Sequence, residues 1–90
     1  MYKIHLTKKF IKDAKNLSRR EIEETMEVLE RLCNNQKLDD RYKDHALKGN
    51  LQGTRDCHIN PDLVLIYKRD KEVLEIIALR IGKHSKLFKK

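Results

Sequence analysis

The first third of the chain has the pattern of a strand followed by helices. Apolar and polar residues alternate over residues 2–6, which is typical of a short strand. Phe10, Ala14 and Leu17 then recur at helical spacing and share one helical face. Thr7 precedes them and offers a hydroxyl that can cap a helix N-terminus. The pattern therefore predicts a first helix directly after the strand.

A second helix is predicted from a capping box and an apolar stripe. The run Ser18-Arg19-Arg20-Glu21 places a glutamate three residues after a hydroxyl cap, so the helix restarts there in a new direction. The stripe behind it consists of Ile22, Met26, Leu29 and Cys33, with Val28 and Leu32 beside it. Most glutamates of this segment fall on the opposite face, so the stripe is expected to face the protein interior.

The second half of the chain has the pattern of an antiparallel meander. Strands are predicted over residues 54–60, 63–68 and 73–81. Tight turns are predicted at Asn60-Pro61-Asp62 and at residues 69–71. The middle strand is a near-continuous apolar run, which indicates a central position in the sheet. Gly82 is expected to end the last strand.

Residues 36–53 connect the two halves and show no clear periodicity. Connections of this length in compact domains are often functional. Taken together, the elements predict an α+β fold in which two N-terminal helices pack on a small, mainly antiparallel twisted sheet. A single domain over residues 1–90 is expected from this length.

The charge distribution adds a candidate partner to this picture. The formal net charge is +7, and 39% of the residues are charged. Basic residues concentrate in residues 80–90, whereas the predicted second helix is rich in glutamate. A basic face with an acidic back suits a polyanionic partner, although charge alone describes a solubilising surface equally well.

The apolar segments and the cysteines indicate a cytoplasmic protein. No apolar run approaches the roughly 20 residues of a membrane span, and the first residues lack the apolar region of a signal peptide. A cytoplasmic location without a membrane partner is therefore expected. Cys33 and Cys57 do not form a C-x-x-C pair, and both are expected to be reduced and buried.

Three histidines in the second half are the candidates for chemistry. His45, His58 and His84 each lie in a polar setting with acids and cations nearby. The reference pKa of histidine, about 6.5, lets it give and take protons near neutrality. Metal-independent RNA cleavage uses this property, because a base removes the ribose 2′ proton and an acid protonates the 5′ leaving oxygen. An arginine can neutralise the phosphorane, and an aromatic ring can stack on a base.

Side-chain alternation brings part of this set together. Along the strand predicted at 54–60, Asp56 and His58 share the face opposite Cys57. The following turn returns Asp62 toward His58, and the long connection can deliver His45. These positions predict a cluster at one end of the sheet.

The last predicted strand supplies the remaining groups. Alternation places Arg80 on the same face as Ile76 and Ala78, and Gly82 frees the chain just before His84. The candidates for proton transfer are His45, His58, Asp62 and His84, with Arg80 for charge and Phe88 for stacking.

Each candidate also has a purely structural explanation. Turn chemistry accounts for Asp62, and cover for the edge of the core accounts for Phe88. Arg80 can form an ion pair with Glu75 or Asp56. A zinc site would have to draw on His45, Cys57, His58 and His84. No structural-zinc spacing is present, so neither a metal nor a cofactor is expected.

Three longer motifs carry a family resemblance. They are Tyr-Lys-Asp-His-Ala-Leu-Lys-Gly at 42–49, Arg-Asp-Cys-His-Ile-Asn-Pro-Asp-Leu-Val-Leu-Ile-Tyr-Lys at 55–68, and Leu-Arg-Ile-Gly-Lys-His-Ser-Lys-Leu-Phe at 79–88. The opening Thr-Lys-Lys-Phe-Ile-Lys-Asp at 7–13 also fits. In this order and spacing they resemble the YafQ branch of the RelE/ParE-type toxin superfamily.

The resemblance implies a toxin of a type II toxin–antitoxin system with a RelE-like, microbial-ribonuclease-like fold. Such toxins are ribosome-dependent mRNA interferases that cut messenger RNA in the ribosomal A site. The implied partner is a cognate antitoxin, a DinJ/RelB-like ribbon-helix-helix protein, and operator DNA would be bound only through it. The implied catalytic residues are His45, His58, Asp62, Arg80 and His84. The expected substrate-binding residues are Phe88, Lys43, Lys48, Arg55 and Lys83.

The resemblance also suggests individual roles. His84 is the expected general acid, with Asp62 or His45 as the base. Arg80 is expected to stabilise the phosphorane, and His58 to orient or bind the substrate. Leu63 stands where some relatives carry tryptophan. This difference is expected to weaken a base-packing contact and so to bear on codon preference, not on the chemistry.

Two rival functions fit the same residues. One is a noncatalytic RNA- or ribosome-binding module in which the basic face holds RNA. The other is a corepressor that acts with its antitoxin on their own operon.

Overall fold

The computed structural model describes residues 1–49 and 53–88, and these residues form a five-stranded sheet with three α-helices. The strands are β1 (Lys3–Leu6), β2 (His45–Ala46), β3 (Arg55–His58), β4 (Leu63–Asp70) and β5 (Glu75–Lys83). Their order across the sheet is β1-β5-β4-β3-β2. Within the described ranges, β1 alone pairs in parallel, with β5, and the other three pairings are antiparallel. The mainly antiparallel sheet with β4 inside it is confirmed.

The two N-terminal helices begin where the sequence predicts, whereas the short third helix was not predicted. They are α1 (Lys8–Ala14), α2 (Arg19–Cys33) and α3 (His84–Leu87), and residues Asp40–Tyr42 form a short 3₁₀ helix. The Thr7 hydroxyl accepts the N–H of Phe10 at 3.1 Å, which caps α1. Ser18 and Glu21 exchange both capping-box bonds, at 3.1 and 2.8 Å. Local capping chemistry therefore fixes both starts.

The hydrophobic core lies between the two N-terminal helices and one face of the sheet. Its buried members are Phe10, Val28, Leu29, Leu32, Cys33, Leu38, Tyr42, Cys57, Ile59, Leu63, Leu65, Tyr67, Ile76, Ala78 and Ile81. Cys33 and Cys57 are both buried free thiols, as expected. In the part of the chain that the structure describes, no helix combines the length and apolar character needed to cross a membrane.

The predicted apolar stripe of α2 is wrong at two positions. Ile22 and Met26 remain 39% and 37% exposed, whereas Leu29 and Cys33 are buried. Thr25 takes an inward position instead, because its hydroxyl donates to the Glu21 carbonyl at 2.8 Å and its polar group is satisfied within the helix.

The connection over 36–53 contains more structure than its lack of periodicity suggests. Leu38 and Tyr42 are buried in the core, on either side of the start of the 3₁₀ helix. His45 and Ala46 then form the edge strand β2 against β3. Strands of two residues are too short to produce a recognisable alternation. Residues 50–52 of this connection lie outside the described residues.

The turn between β4 and β5 lies later than the predicted 69–71. β4 continues through Asp70, whose carboxylate accepts the N–H groups of Glu72 and Val73 at 3.0 and 3.2 Å. Leu74 has a left-handed backbone, with φ at 56°. The apolar Val73 and Leu74 have the composition of a strand, but they are exposed turn residues.

A β-bulge in β5 reverses the predicted facing of Arg80. Ala78 pairs with Tyr67, but Arg80 pairs with Ile66, so Leu79 is an extra residue on β5. The next core residue of β5 therefore comes three positions after Ala78. Arg80 lies on the face away from the core, opposite Ala78 and not beside it.

Gly82 does not end the last strand. It pairs with Val64, and β5 continues to Lys83. A Cβ at Gly82 would stand 3.5 Å from the side chain of Leu87, which lies over this position. The strand thus leads directly into α3, and His84 is attached to the sheet without an intervening loop.

Candidate active site

Polar side chains form two adjacent rows on the sheet face opposite the core. Residues paired directly across antiparallel strands share a face, as do residues two apart on one strand. The first row is His45, Asp56, Ile66 and Arg80, and the second is His58, Val64 and Gly82. Val64 and Ile66 are almost fully buried. Their side chains form the apolar part of this face, next to the polar residues of the two rows.

His45 and Asp56 are in direct contact at one end of the first row. The His45 Nδ1 atom lies 3.1 Å from an Asp56 carboxylate oxygen and 2.7 Å from the Lys43 carbonyl oxygen. The Asp56 side chain is 4% exposed, whereas that of His45 is 55% exposed. Among residues 1–49 and 53–88, the Asp56 Oδ1 atom has no hydrogen-bond donor with good geometry.

The surroundings of Asp56 disfavour its charged form. Burial raises the pKa of this carboxyl above its ordinary value of 3.8. Positive charge on His45, His58 or His84 acts in the opposite direction, and these three imidazoles offset part of the effect. Asp56 is therefore a buried carboxyl that interacts electrostatically with all three candidate histidines.

His58 and His84 approach each other at the end of the second row. Their ring centroids are 6.1 Å apart, and the His84 ring lies 4.7 Å from the ring of Phe88. His58 ends β3, whereas His84 begins α3, and the first turn of α3 brings Phe88 back over His84. Two imidazoles and a phenyl ring therefore share one small area of surface.

The backbone of Asp62 contacts the start of α3, beside His58 and His84. Its carbonyl oxygen accepts the N–H of His84 at 3.2 Å. The Asn60 side chain accepts the N–H groups of Asp62 and Leu63 at 3.0 and 2.9 Å, which fixes the turn. The predicted turn chemistry is present, and it holds Asp62 beside the start of α3, with the residue itself exposed.

Arg80 is held by a partner that sequence reasoning did not consider. The Asp13 carboxylate accepts Arg80 Nε at 2.7 Å and Arg80 Nη2 at 3.1 Å, and also the N–H of Ile81 at 3.1 Å. The suggested pairing of Arg80 with Glu75 or Asp56 is therefore wrong. Adjacent strands lie about 4.8 Å apart, so the backbone of Arg80 is roughly 10 Å from that of Asp56.

Arg55 lies on the other side of the sheet from the histidines. Its Nε atom donates to the Asp44 carboxylate at 3.2 Å, and the Tyr67 hydroxyl donates to the same oxygen at 2.6 Å. Tyr67 belongs to the core face and pairs with Arg55 across β3 and β4. The structure thus assigns Arg55 a contact with the 42–46 segment and separates it from the polar rows.

The three predicted lysines differ in their relation to the cluster. Lys43, Lys48 and Lys83 are all exposed. Lys43 contributes its carbonyl to His45, and Lys83 immediately precedes His84. Lys48 lies beyond the end of β2.

A cleft of about 520 Å³ adjoins the cluster at His58. Its lining includes Lys43 and His58, together with Glu24 and Glu27 of α2. His45 and His84 do not line it and are exposed, so these two candidates for proton transfer face solvent. An open surface suits an extended polymer better than an enclosed small molecule.

Sequence reasoning missed Asp13 and Asp56 as site residues. Asp56 was predicted on the face of His58, but nothing in its local sequence indicates that this side chain is buried. Asp13 is an ordinary helix residue 67 positions from Arg80 in the sequence. Only the paired strands and the docked α1 bring these carboxylates to their partners.

The fold and this surface define a class: a small α+β protein with three histidines, a buried carboxyl and an arginine on the side of the sheet opposite the core. Residues 2–89 match the family described as bacterial toxin of type II toxin-antitoxin system, YafQ. The chain belongs to the YafQ family, which confirms the resemblance.

Named relatives agree with this assignment. The mRNA interferase toxin YafQ of Escherichia coli strain K12 is 47% identical over 47 residues, which cover 52% of this chain and 49% of the relative. The metal-bound toxin from Helicobacter pylori is 38% identical, covers 98% of this chain and 100% of its own, and superposes with a TM-score of 0.86. A chain of the E. coli DinJ–YafQ toxin–antitoxin complex is 33% identical, with 97% of each chain covered and a TM-score of 0.82.

Proposed function

We propose that this toxin is a ribosome-dependent endoribonuclease that cleaves messenger RNA by general acid–base catalysis without a metal. The observation that carries the proposal is the grouping of His45, Asp56, His58, His84 and Phe88 on one open sheet face. The name of the E. coli relative, an mRNA interferase toxin, supports the same activity.

The reaction transfers two protons and exchanges one P–O bond for another. A base, His45 or Asp62, removes the proton of the ribose 2′-hydroxyl, and that oxygen bonds to the adjacent phosphorus. The bond from phosphorus to the 5′ oxygen then breaks, and His84 donates a proton to the leaving oxygen. Each proton transfer of this kind contributes typically 10²–10⁴-fold to the rate.

In this proposal Arg80 neutralises the phosphorane. Asp13 accepts from its Nε and Nη2 atoms, and within residues 1–49 and 53–88 the structure shows no hydrogen bond from Nη1. The Arg80 side chain is 41% exposed, so a phosphate oxygen can reach the guanidinium. His58 lies near His84, with ring centroids 6.1 Å apart, and can hold the same phosphate, while Phe88 can stack on a base. Lys83, which precedes His84 in the sequence, is the proposed contact to a neighbouring phosphate.

The proposed partners follow from the family and the charge. The messenger RNA and the ribosomal A site are the proposed polyanionic targets of a chain with a net charge of +7. The complex of YafQ with DinJ supports a cognate antitoxin, proposed as a DinJ/RelB-like ribbon-helix-helix protein that also contacts operator DNA.

A cleavage assay on programmed ribosomes tests the proposal. Purified toxin is added to ribosomes holding a pool of messengers that places every codon in the A site, and new 5′-ends are mapped. We expect cleavage by the parent and a loss of at least about 10²-fold in His84→Ala. His5→Ala is the matched control, because His5 is an exposed histidine on the edge strand β1, and its activity should equal that of the parent.

The remaining outcomes separate the alternatives. Ribosome binding by the parent without new 5′-ends would favour the noncatalytic module. Full activity of His84→Ala would contradict the assigned acid. Addition of 1,10-phenanthroline, which removes transition metals but leaves ribosomal Mg²⁺, should not change the rate. A rate that falls with the chelator and returns with added metal would overturn metal independence.

A further inference from the structure

Asp56 is a buried carboxyl in the centre of the candidate active site. Its side chain is 4% exposed, and it pairs across the sheet with His45 on one side and with Ile66 on the other. One carboxylate oxygen lies 3.1 Å from His45 Nδ1, and in the described part of the chain the same oxygen has no well-aligned hydrogen-bond donor.

This placement is unfavourable for stability. A buried polar atom that lacks a hydrogen bond costs free energy, and a buried carboxylate costs more than a neutral group. The raised pKa of Asp56 has this burial as its main cause. A neutral amide or an apolar residue of similar size would avoid the cost, so the carboxyl is poorly explained by folding alone.

The contacts of His45 indicate what the carboxyl does. The two neighbours of Nδ1 are the Lys43 carbonyl oxygen at 2.7 Å and the Asp56 carboxylate oxygen at 3.1 Å. Both are hydrogen-bond acceptors, so the proton of neutral His45 resides on Nδ1. The Nε2 atom then carries the lone pair, on a side chain that is 55% exposed.

We propose that Asp56 is a positioning residue that, with the Lys43 carbonyl, fixes His45 in the tautomer that acts as general base. The inference rests on the proposed function and deepens it. It selects His45 over Asp62 as the base.

The proton balance is simple. The ribose 2′ proton moves to His45 Nε2, the 2′ oxygen bonds to phosphorus, and the 5′ oxygen leaves with a proton from His84. His45 becomes a cation with two N–H groups, and the neighbouring Asp56 charge stabilises that cation. No oxidant, reductant or further reactant is needed. An oriented carboxylate beside a basic histidine performs the same two tasks in the serine protease triad.

A double-mutant cycle on the cleavage rate tests this role. The variants are Asp56→Asn, His45→Ala and the double substitution, each measured in single turnover on programmed ribosomes. Asp56→Asn should lower the parent rate by roughly tenfold to a hundredfold, because the amide can present a donor to Nδ1 and reverse the tautomer. In the His45→Ala background the same change should cost less than about threefold. Equal losses in both backgrounds would overturn the proposal.

Unfolding measurements separate this role from a structural one. The midpoint temperature of Asp56→Asn should equal or exceed that of the parent, since the substitution removes a buried charge. Glu72→Gln is the matched control for charge, because Glu72 is exposed in the turn between β4 and β5, and both its rate and its midpoint should stay at the parent values. A lowered midpoint in Asp56→Asn together with an unchanged rate would assign Asp56 to folding.

The tautomer can be read without any activity. In ¹⁵N-labelled toxin at alkaline pH, neutral His45 should carry its proton on Nδ1, and this signature should weaken in Asp56→Asn. A proton on Nε2 in the parent would overturn the inference even if the enzyme cleaves RNA. Failure of the parent to cleave, with the Nδ1 tautomer present, would instead count against the proposed function alone.

Discussion

At the scale of single residues, two carboxyls outside the predicted set organise the site in opposite ways. The pKa of the Asp13 carboxyl is lowered. Burial acts to raise it, but the hydrogen bonds from Arg80 and the Ile81 N–H, together with the charge of Arg80, have the larger combined effect. Asp56 has no comparable donor, and burial keeps its pKa raised. Asp13 therefore orients Arg80 at little electrostatic cost, whereas Asp56 is buried where its charged form is disfavoured.

Asp13→Asn should destabilise the fold in a pH-dependent way. The folded-state pKa of Asp13 is lowered, so its contribution to the free energy of unfolding is fully present at a pH above the ordinary pKa of 3.8. That contribution is lost as the pH falls through the folded-state pKa. Chemical unfolding should show the variant roughly 1 kcal/mol less stable at neutral pH, since Arg80 is partly solvent-screened. The difference should vanish in acid. A difference that persists well below pH 3.8 would show that the carboxylate charge is not its source.

At the scale of secondary structure, capping residues determine where the helices begin, and a β-bulge determines the face of the sheet on which Arg80 lies. The Ser18–Glu21 capping box starts α2 from residues that are adjacent in the sequence. The bulge at Leu79 depends on how β5 pairs with β4, and it turns Arg80 onto the face of Asp56. Element starts therefore follow from local chemistry, whereas the direction of a strand side chain follows from its neighbour.

Ser18→Ala should cost stability without affecting chemistry. The substitution removes the hydroxyl that accepts the Glu21 N–H at 3.1 Å, so the free energy of unfolding should fall by about 1 kcal/mol. Ser18→Gly is the matched variant and should cost only a few tenths of a kcal/mol. Denaturant unfolding gives both values, and single-turnover cleavage should match the parent in each. A large drop in cleavage would place the start of α2 in the active site.

At the scale of the whole molecule, the excess positive charge is distributed unevenly over the surface. The net charge is +7, and the exposed Lys83 adjoins His84 at the end of the sheet. Most of the glutamates belong to α2, which packs on the core face of the sheet, and two of them, Glu24 and Glu27, line the cleft beside His58. A polyanion should therefore approach the polar rows, with an affinity that depends on counterion release.

Ribosome binding should weaken linearly in a plot of log affinity against log salt concentration. Lys83→Ala should reduce the slope by about 0.7–0.9, the value expected for one lost phosphate contact. Lys71→Ala provides the control, because Lys71 is equally exposed but lies in the turn between β4 and β5 at the other end of the sheet. Equal slopes for the two variants would show that binding is not directed to the His84 end.

Much of the fold is predictable because its signals are local. The caps at Thr7 and Ser18 and the apolar run of β4 all depend on residues within a few positions of each other. The turn after Pro61 is of the same kind. Leu38 and Tyr42 escaped prediction, because an irregular segment has no period that would indicate its buried side chains.

The candidate site was predictable only in part. By itself, the sequence determined the helix starts, the central strand, the family motifs and the identities of His45, His58 and His84. Tertiary structure alone decided that Asp56 is buried beside them, that Asp13 holds Arg80, and that Arg55 faces Asp44 on the other side of the sheet. The physical reason is distance along the chain. A helix cap joins residues that are neighbours in the sequence. A register shift between strands, the docking of a helix and the burial of a carboxylate arise only when remote segments pack together.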